Sequence, residues 1–148
     1  MRTPVPERAV RFYRDVFGMP ISAYQGSTPA LAVGPGRQFI MMSAAGGGAN
    51  ASAEPVTVAF IHHVCFTVDG FDVDRIFKVL NDFGLKPRGE AQGAVPPMTY
   101  YVSMRMPDRG GAPTGTAEVY FADPDGLLIQ LQDPTYCGGG GVRGERCL

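Results

Sequence analysis

Two adjacent histidines, His62 and His63, are the only histidines of the chain, and they lie in the stretch FIHHVCFTV. Histidine is a common metal ligand, and its unperturbed pKa of about 6.5 also suits it to proton transfer near neutral pH. Neighbouring residues of a β-strand point to opposite faces of the sheet. A strand here would therefore place one imidazole on each face, so the two histidines should have different roles.

Side-chain alternation assigns each histidine to a face. The alternate residues from Phe60 to Val68, which include His62, are the more apolar set and should pack against helices. His63 then falls on the opposite, concave face. In LLIQLQ, residues 127–132, the same alternation places Gln130 and Gln132 on the concave face. We therefore expect His63 and Gln130 to share one surface, and His62 to be structural or exposed.

Further candidates for a binding surface are placed by the same alternation on the concave face. Cys65 alternates with His63, while Tyr101 and Arg105 share one face of the run TYYVSMRM. With Tyr120 on the next strand, they could line a cavity and hold an anionic or phenolic ligand. The alternative is that Arg105 is a surface residue and the tyrosines are ordinary sheet residues. Glu118 is two residues before Tyr120 and so points to the same face of the strand, which makes it a candidate carboxylate for the same surface.

These residues need a sheet and helices to position them, and the sequence predicts both. PERAVRFYRDVFGM has apolar residues at helical spacing, ended by Gly18, and the strand-like runs PISAY, ALAV and QFIMMS follow. After a stretch of small residues the order returns: AFIHHVCFTV, a helix in DVDRIFKVLNDFGL, then KPRGE, TYYVSMRM, AEVYF and LLIQLQ. The predicted apolar face of the first helix consists of Val10, Tyr13, Val16 and Phe17.

The repeat of helix and strands is visible in the numbering. Aligning Phe17 with Phe83, each followed by glycine, also aligns Val10 with Ile76. The first copy is shorter at its start, where only residues 1–3 could form the strand that precedes the helix. We predict a first module at 1–44, a linker at 45–58, a second module at 59–134 and a glycine-rich tail at 135–148.

Composition narrows the class of protein. A formal net charge of −1 without a block of like charges argues against a nucleic-acid or membrane surface. No apolar run is long enough to span a bilayer, and the N-terminus lacks the apolar core of a secretion signal, so we expect a cytoplasmic protein. The 20 glycines and 13 prolines indicate many turns. Cys137 and Cys147 in the tail could form a disulfide or remain two free thiols.

The sequence resembles the vicinal oxygen chelate superfamily, which includes glyoxalase I, extradiol dioxygenases and bleomycin-resistance proteins. The resemblance rests on ERAVRFYRDVFGM, on HHVCFTVDGFD and on VYFADPDGLLIQLQ. It implies an α+β fold of two βαβββ modules that form a curved, incomplete barrel around a shared cavity, with the first strand of module one largely missing. It also implies that the protein binds a small molecule. The missing strand would leave a sheet edge exposed, which favours pairing with a second copy, so we predict a homodimer.

Two functions follow from the resemblance. One is a metal-dependent enzyme of the glyoxalase or dioxygenase kind, in which His63 and Gln130 would hold divalent iron, manganese, nickel or zinc. Gln130 stands where many members have a glutamate, and the corresponding position of module one is predicted to be Ile40 or Met42, so this metal site is incomplete. The other is a metal-free protein that sequesters a drug or aromatic compound, with Cys65 and Tyr101 among the residues that contact it.

Overall fold

The computed structural model describes residues 1–44, 57–89 and 93–134. Most of the predicted linker, and the whole tail with Cys137 and Cys147, lie outside the described residues. The elements, in chain order, are α1 (Pro6–Phe17), β1 (Ile21–Gln25), β2 (Thr28–Ala32), β3 (Phe39–Met41), β4 (Val64–Thr67), α2 (Val73–Asp82), β5 (Lys86–Pro87), β6 (Thr99–Arg105), a short 3₁₀ helix (Pro107–Arg109), β7 (Thr116–Ala122) and β8 (Leu128–Gln132).

The strands form two sheets that repeat one topology. The first sheet has the order β1-β2-β3, and all its pairs are antiparallel. The second has the order β4-β8-β7-β6-β5, in which β6, β7 and β8 form the matching antiparallel meander and β4 runs parallel to β8. The sheets are not closed into a barrel. The predicted α+β fold of two modules is thereby confirmed.

Residues 1–3 connect the two sheets. Arg2 forms a parallel bridge to Ser43, just after β3, and an antiparallel bridge to Phe60, before β4. The amide of Arg2 donates to the Phe60 carbonyl at 2.9 Å, and the Phe60 amide donates back at 3.0 Å. In module two the strand β4 lies beside the last strand of its meander in the same parallel way. Arg2 therefore occupies the position that β4 has in the other module.

The two helices begin and end as their sequences predict. Pro6 starts α1, and Gly18 ends it in the left-handed conformation at φ 65°. Asp72 caps α2, because its side chain accepts a hydrogen bond from the Arg75 amide at 2.7 Å. Ile76 and Leu80 of α2 then bury themselves against the second sheet, in a core that also holds Leu85, Tyr100 and Val119.

The predicted apolar face of α1 is wrong. Val16 and Phe17 are 58% and 60% exposed, and no residue of α1 is buried. Of the four predicted residues only Val10 lines the cavity between α1 and the first sheet, where it lies beside Arg11 and Arg14. The apolar spacing predicted the helix correctly but not which of its sides faces the sheet. A helix with apolar residues on more than one side can turn any of those sides inward.

The sequence DPDG forms the tight turn between β7 and β8. Asp123 Oδ1 accepts hydrogen bonds from the amides of Asp125 and Leu127, at 2.9 and 2.8 Å. Gly126 has φ 85°, a conformation that favours glycine. This turn fixes the register of the hairpin that carries Tyr120 and Gln130. Separately, none of the described residues belongs to a helix long and apolar enough to cross a membrane.

Candidate functional site

Four strands place the predicted binding residues in one row. Cys65 on β4 pairs with Gln130 on β8, and Gln130 pairs with Tyr120 on β7. Tyr120 in turn pairs with Tyr101 on β6. Directly paired residues project from the same side of a sheet, so all four lie on the face opposite α2. We call this row of four residues the inner row.

Aromatic rings extend from the inner row. The Tyr101 and Tyr120 rings are stacked, with centroids 5.1 Å apart and planes at 10°. His63 meets the Tyr120 ring edge-on at 6.0 Å. The Arg88 guanidinium lies 5.1 Å from the Tyr101 centroid, in a cation–π arrangement. One end of the row is therefore a continuous π surface, a chemistry that suits a planar ligand.

The two histidines contact each other. Their Nδ1 atoms lie 2.7 Å apart, so one ring donates a hydrogen bond and the other accepts it. Regular strand structure begins only at Val64, and outside it neighbouring side chains need not point to opposite faces. His62 is half-buried and bonded to His63, not separated from it as alternation predicts. Burial lowers the pKa of both imidazoles to about 4, so both are neutral at pH 7.

Hydrogen bonds link the histidine pair to the inner row. The His63 side chain is hydrogen-bonded to that of Gln130. The Cys65 thiol donates to Gln130 Oε1 at 2.7 Å, and Gln130 Nε2 donates to Gln132 Oε1 at 3.2 Å. Burial, with Glu118 nearby, raises the pKa of the Cys65 thiol to about 12. Cys65 is thus a neutral hydrogen-bond donor and not a nucleophilic thiolate.

Arg105 is the centre of a buried cluster of charges, on the same face of the sheet as the inner row but further along β6 and β7. It is 1% exposed and pairs with Glu118 at 3.5 Å and with Asp133 at 3.0 Å. Tyr120 donates its hydroxyl hydrogen to Glu118 Oε2 at 3.2 Å. Burial raises the pKa of Glu118, opposed by the charge of Arg105, and burial likewise raises the pKa of Tyr120. The alternative that Arg105 is a surface residue is wrong.

The donors around His63 do not fit a divalent metal ion. Within residues 1–44, 57–89 and 93–134 there is no group of three or more His, Cys, Asp or Glu side chains that could hold one. His63 and Gln130 use their polar atoms on each other, on His62 and on Cys65. The one buried carboxylate nearby, Glu118, is paired with Arg105. Two neutral ligands make a weak site.

Module one adds no ligand at the equivalent position. Met41 pairs with Ala30 in the way that Gln130 pairs with Tyr120, so Met41 is the counterpart of Gln130. Met42 instead lines the cavity against α1. The prediction of Ile40 or Met42 for this position was one residue out, since a strand of three residues offers too little alternation to set its phase.

Sequence reasoning missed two residues that complete the site, Asp133 and Arg88, while alternation placed a third, Gln132, on the face of Gln130. Asp133, immediately after β8, is the second partner of Arg105. Gln132 continues the hydrogen bonds of Gln130, and Arg88 covers Tyr101. Asp133 and Arg88 lie outside the regular strands, so no periodic signal marks them.

Solved structures provide distant comparisons. An integron cassette protein from V. cholerae has 19% identity, with coverage of 88% of both chains and a TM-score of 0.30. A lactoylglutathione lyase from Agrobacterium tumefaciens has 20% identity, with coverage of 88% of this chain and 86% of that one and a TM-score of 0.29. A virulence protein from Salmonella typhimurium has 15% identity, with coverage of 90% and 91% and a TM-score of 0.28.

No curated protein sequence matches the chain. A family model does match it, and the match extends from the bridge at Arg2 through both meanders to β8. That model is the Glyoxalase/Bleomycin resistance protein/Dioxygenase superfamily, which covers residues 1–131, and the chain belongs to this superfamily.

Proposed function

We propose that the protein binds a small planar molecule with a phenolic or anionic group on the inner row, without a metal ion. The observation that carries the proposal is the register of β4, β8, β7 and β6, which brings Cys65, Gln130, Tyr120 and Tyr101 side by side. Stacked tyrosines offer a π face, and the thiol and amide groups offer hydrogen bonds. Few polar groups on an otherwise aromatic surface are typical of ligand sites.

The roles divide by chemistry. Tyr101 and Tyr120 would contact the ring of the ligand, with Cys65 and His63 at its edge as neutral hydrogen-bonding groups. Arg105 is too deeply buried to meet a ligand directly, and we assign it to holding Glu118 and hence the Tyr120 hydroxyl. The neutral state of His63 and Cys65 at pH 7 favours binding over acid–base chemistry.

Binding of 4-hydroxybenzoate to the purified full chain, measured by isothermal titration calorimetry, tests this function. Tyr101→Ala should weaken binding about 5- to 150-fold, because stacking on one aromatic ring contributes about 1–3 kcal/mol. Val102→Ala is the matched control, because Val102 neighbours Tyr101 on the same strand and points to the other face. Equal loss in both variants would refute a site on the inner row.

The competing function is a metal-dependent enzyme of the glyoxalase or dioxygenase kind. The contact between His63 and Gln130 favours it, because both predicted ligands lie at one point of the sheet. Elemental analysis of protein purified without chelator separates the two functions. Stoichiometric iron, manganese, nickel or zinc that is lost in His63→Ala would establish the metal-dependent function. Binding of 4-hydroxybenzoate unchanged by chelator would support the metal-free one.

We also propose a homodimer. Its support is the outer side of α1, where Phe12, Val16 and Phe17 are all more than half exposed. Light scattering at micromolar concentration should give twice the chain mass, and Phe17→Glu should convert the protein to a monomer. Phe83→Glu, at the equivalent position of α2, is the control. A wild-type monomer would contradict the proposal.

A further inference from the structure

A cavity of about 500 Å³ lies between α1 and the first sheet, away from the inner row. On the α1 side it is lined by Val10, two arginines and two acidic residues (Glu7, Arg11, Arg14 and Asp15), and on the sheet side by residues that include Pro29 and Met42. Its volume is in the range of small-molecule sites, which is roughly 300–1,000 Å³. The inner row contributes no residue to it.

The internal repeat shows what this cavity replaces. The offset that aligns Phe17 with Phe83 aligns Val10 with Ile76 and Arg14 with Leu80. In α2 those two residues are buried in the hydrophobic core. Arg11 aligns with Phe77, which packs against the same core. Module one thus has two arginines and a cavity where module two has large apolar side chains in close contact.

Part of the sheet side of the cavity has kept its apolar character. Tyr24 pairs with Pro29 in the way that Val102 pairs with Val119. Met42 follows Met41 as Leu131 follows Gln130, and Leu131 packs on the core of module two. Only the helix side has become charged. Apolar residues of the sheet that face charged residues of the helix fit a ligand with a hydrocarbon body and a charged end.

Charge distribution on α1 indicates the sign of that end. Glu7 and Asp15 line the cavity too, one helical turn on either side of Arg11, so their negative charges lie nearest that arginine along the helix and offset its charge. Arg14 has no acidic residue three or four positions away in the sequence. The hydroxyls of Ser27, Thr28 and Ser43 also line the cavity, and they can donate to an oxyanion.

We propose that this cavity is a second ligand site, which binds a small amphipathic carboxylate. Arg14 binds the carboxylate, and Val10, Pro29, Met42 and Tyr24 contact the hydrocarbon chain. An arginine pairs with a carboxylate through two parallel hydrogen bonds, which makes this residue type specific for such a group. The site is independent of the inner row. Its ligand has an alkyl chain, whereas the ligand proposed for the inner row is planar.

Calorimetric titration of the full chain with octanoate tests the proposal, with octanol as the uncharged probe. Octanoate should bind once per chain, and octanol at least about tenfold more weakly, the fold-change expected for a hydrogen bond to a charged group. Arg14→Leu, which installs the residue that module two has there, should weaken octanoate at least about tenfold. Arg8→Leu, on α1 but outside the cavity, should bind octanoate as the wild type does.

Two further measurements make the result unambiguous. Arg14→Gln removes the charge without adding an apolar side chain, and it should weaken octanoate to the same extent. Amide chemical shifts of Val10 and Ser43 should move on titration, while those of Tyr101 and Tyr120 should not. Equal binding of octanoate by the wild type and both Arg14 variants, or shifts confined to the tyrosines, would overturn the proposal. Failure of 4-hydroxybenzoate to bind would leave these outcomes unaffected.

Discussion

Arg105 and Glu118 form a buried ion pair beside the inner row, with Nη1 3.5 Å from Oε1 and side chains 1% and 2% exposed. Asp133 adds a second carboxylate at 3.0 Å from Nη2. A buried charge with its partners removed is far more costly than an exposed one. The stability of the site therefore depends on Arg105 more than on any surface ion pair.

Arg105→Met should lower the free energy of unfolding by about 3–5 kcal/mol, because the buried Glu118 and the partly buried Asp133 lose their counter-charge. The exposed pair Lys78–Asp82, at 2.6 Å on α2, is the matched control. Lys78→Met should cost at most about 0.5 kcal/mol, as exposed helix pairs do. Urea unfolding followed by circular dichroism measures both. Similar losses in the two variants would contradict a buried cluster.

The histidine pair should make stability depend on pH. Both imidazoles have a folded-state pKa of about 4, below the unfolded value of about 6.5. The unfolded chain therefore binds more protons between these values, and the free energy of unfolding falls as pH drops from about 6.5 towards 4. The contribution is fully present above pH 6.5.

Urea unfolding at pH 7 and pH 5 checks this dependence. Between the two, the wild type should lose on the order of 2 kcal/mol per histidine more than a His62→Gln, His63→Gln double variant, with a smaller share from the half-exposed His62 because solvent screens it. The carboxylates titrate alike in both proteins, so the difference isolates the imidazoles. Parallel pH profiles would show that neither pKa is depressed.

Cys65 should react slowly with thiol reagents although the residue as a whole is exposed, because its thiol is partly buried and hydrogen-bonded to Gln130. Its pKa of about 12 leaves almost no thiolate at pH 8, and the thiolate is the nucleophile. In a Cys137→Ser, Cys147→Ser background, reaction with iodoacetamide at pH 8 should be at least about a hundredfold slower than in urea. Gln130→Leu removes the acceptor of its S–H group, and any change of rate in that variant reports on this bond. Equal rates when folded and unfolded would refute the raised pKa.

The DPDG turn should contribute measurably to stability through one oxygen. Asp123→Ala deprives the Asp125 and Leu127 amides of their acceptor and should cost about 1 kcal/mol. Asp123→Asn keeps an acceptor oxygen and should cost less. Asp125→Ala changes an exposed carboxylate of the same turn and serves as the control. Thermal unfolding ranks the three, and a ranking with Asp125→Ala as the most damaging would contradict the assigned role.

Alternation predicted the inner row because its period of two is fixed by strand geometry. Cys65, Gln130, Tyr120 and Tyr101 lie on the predicted face, since each belongs to a regular strand of at least four residues. The same rule misplaced His62 and the counterpart of Gln130 in module one. Those residues lie beyond a strand end or in a strand of three residues, where the phase is lost.

The sequence did not predict which side of α1 faces the sheet, or which residue besides Glu118 pairs with Arg105. Aromatic and apolar residues on several sides of α1 left its inward face undecided, and the structure turns Arg14 to the sheet. Asp133 was missed as a partner of Arg105 because the two are distant in sequence and joined only by the antiparallel pairing of three strands. Both features depend on tertiary packing, on which local periodicity carries no information.

The parallel pairing of β4 with β8 joins residues 65 positions apart, as between Cys65 and Gln130. During synthesis on the ribosome, β4 emerges long before its partner, and its ladder can form only after α2 and the β6–β7–β8 meander have been made. Closing so large a loop is entropically costly, so this strand should dock last. The surface that carries His63 and Cys65 is consequently the final part of the nascent chain to mature.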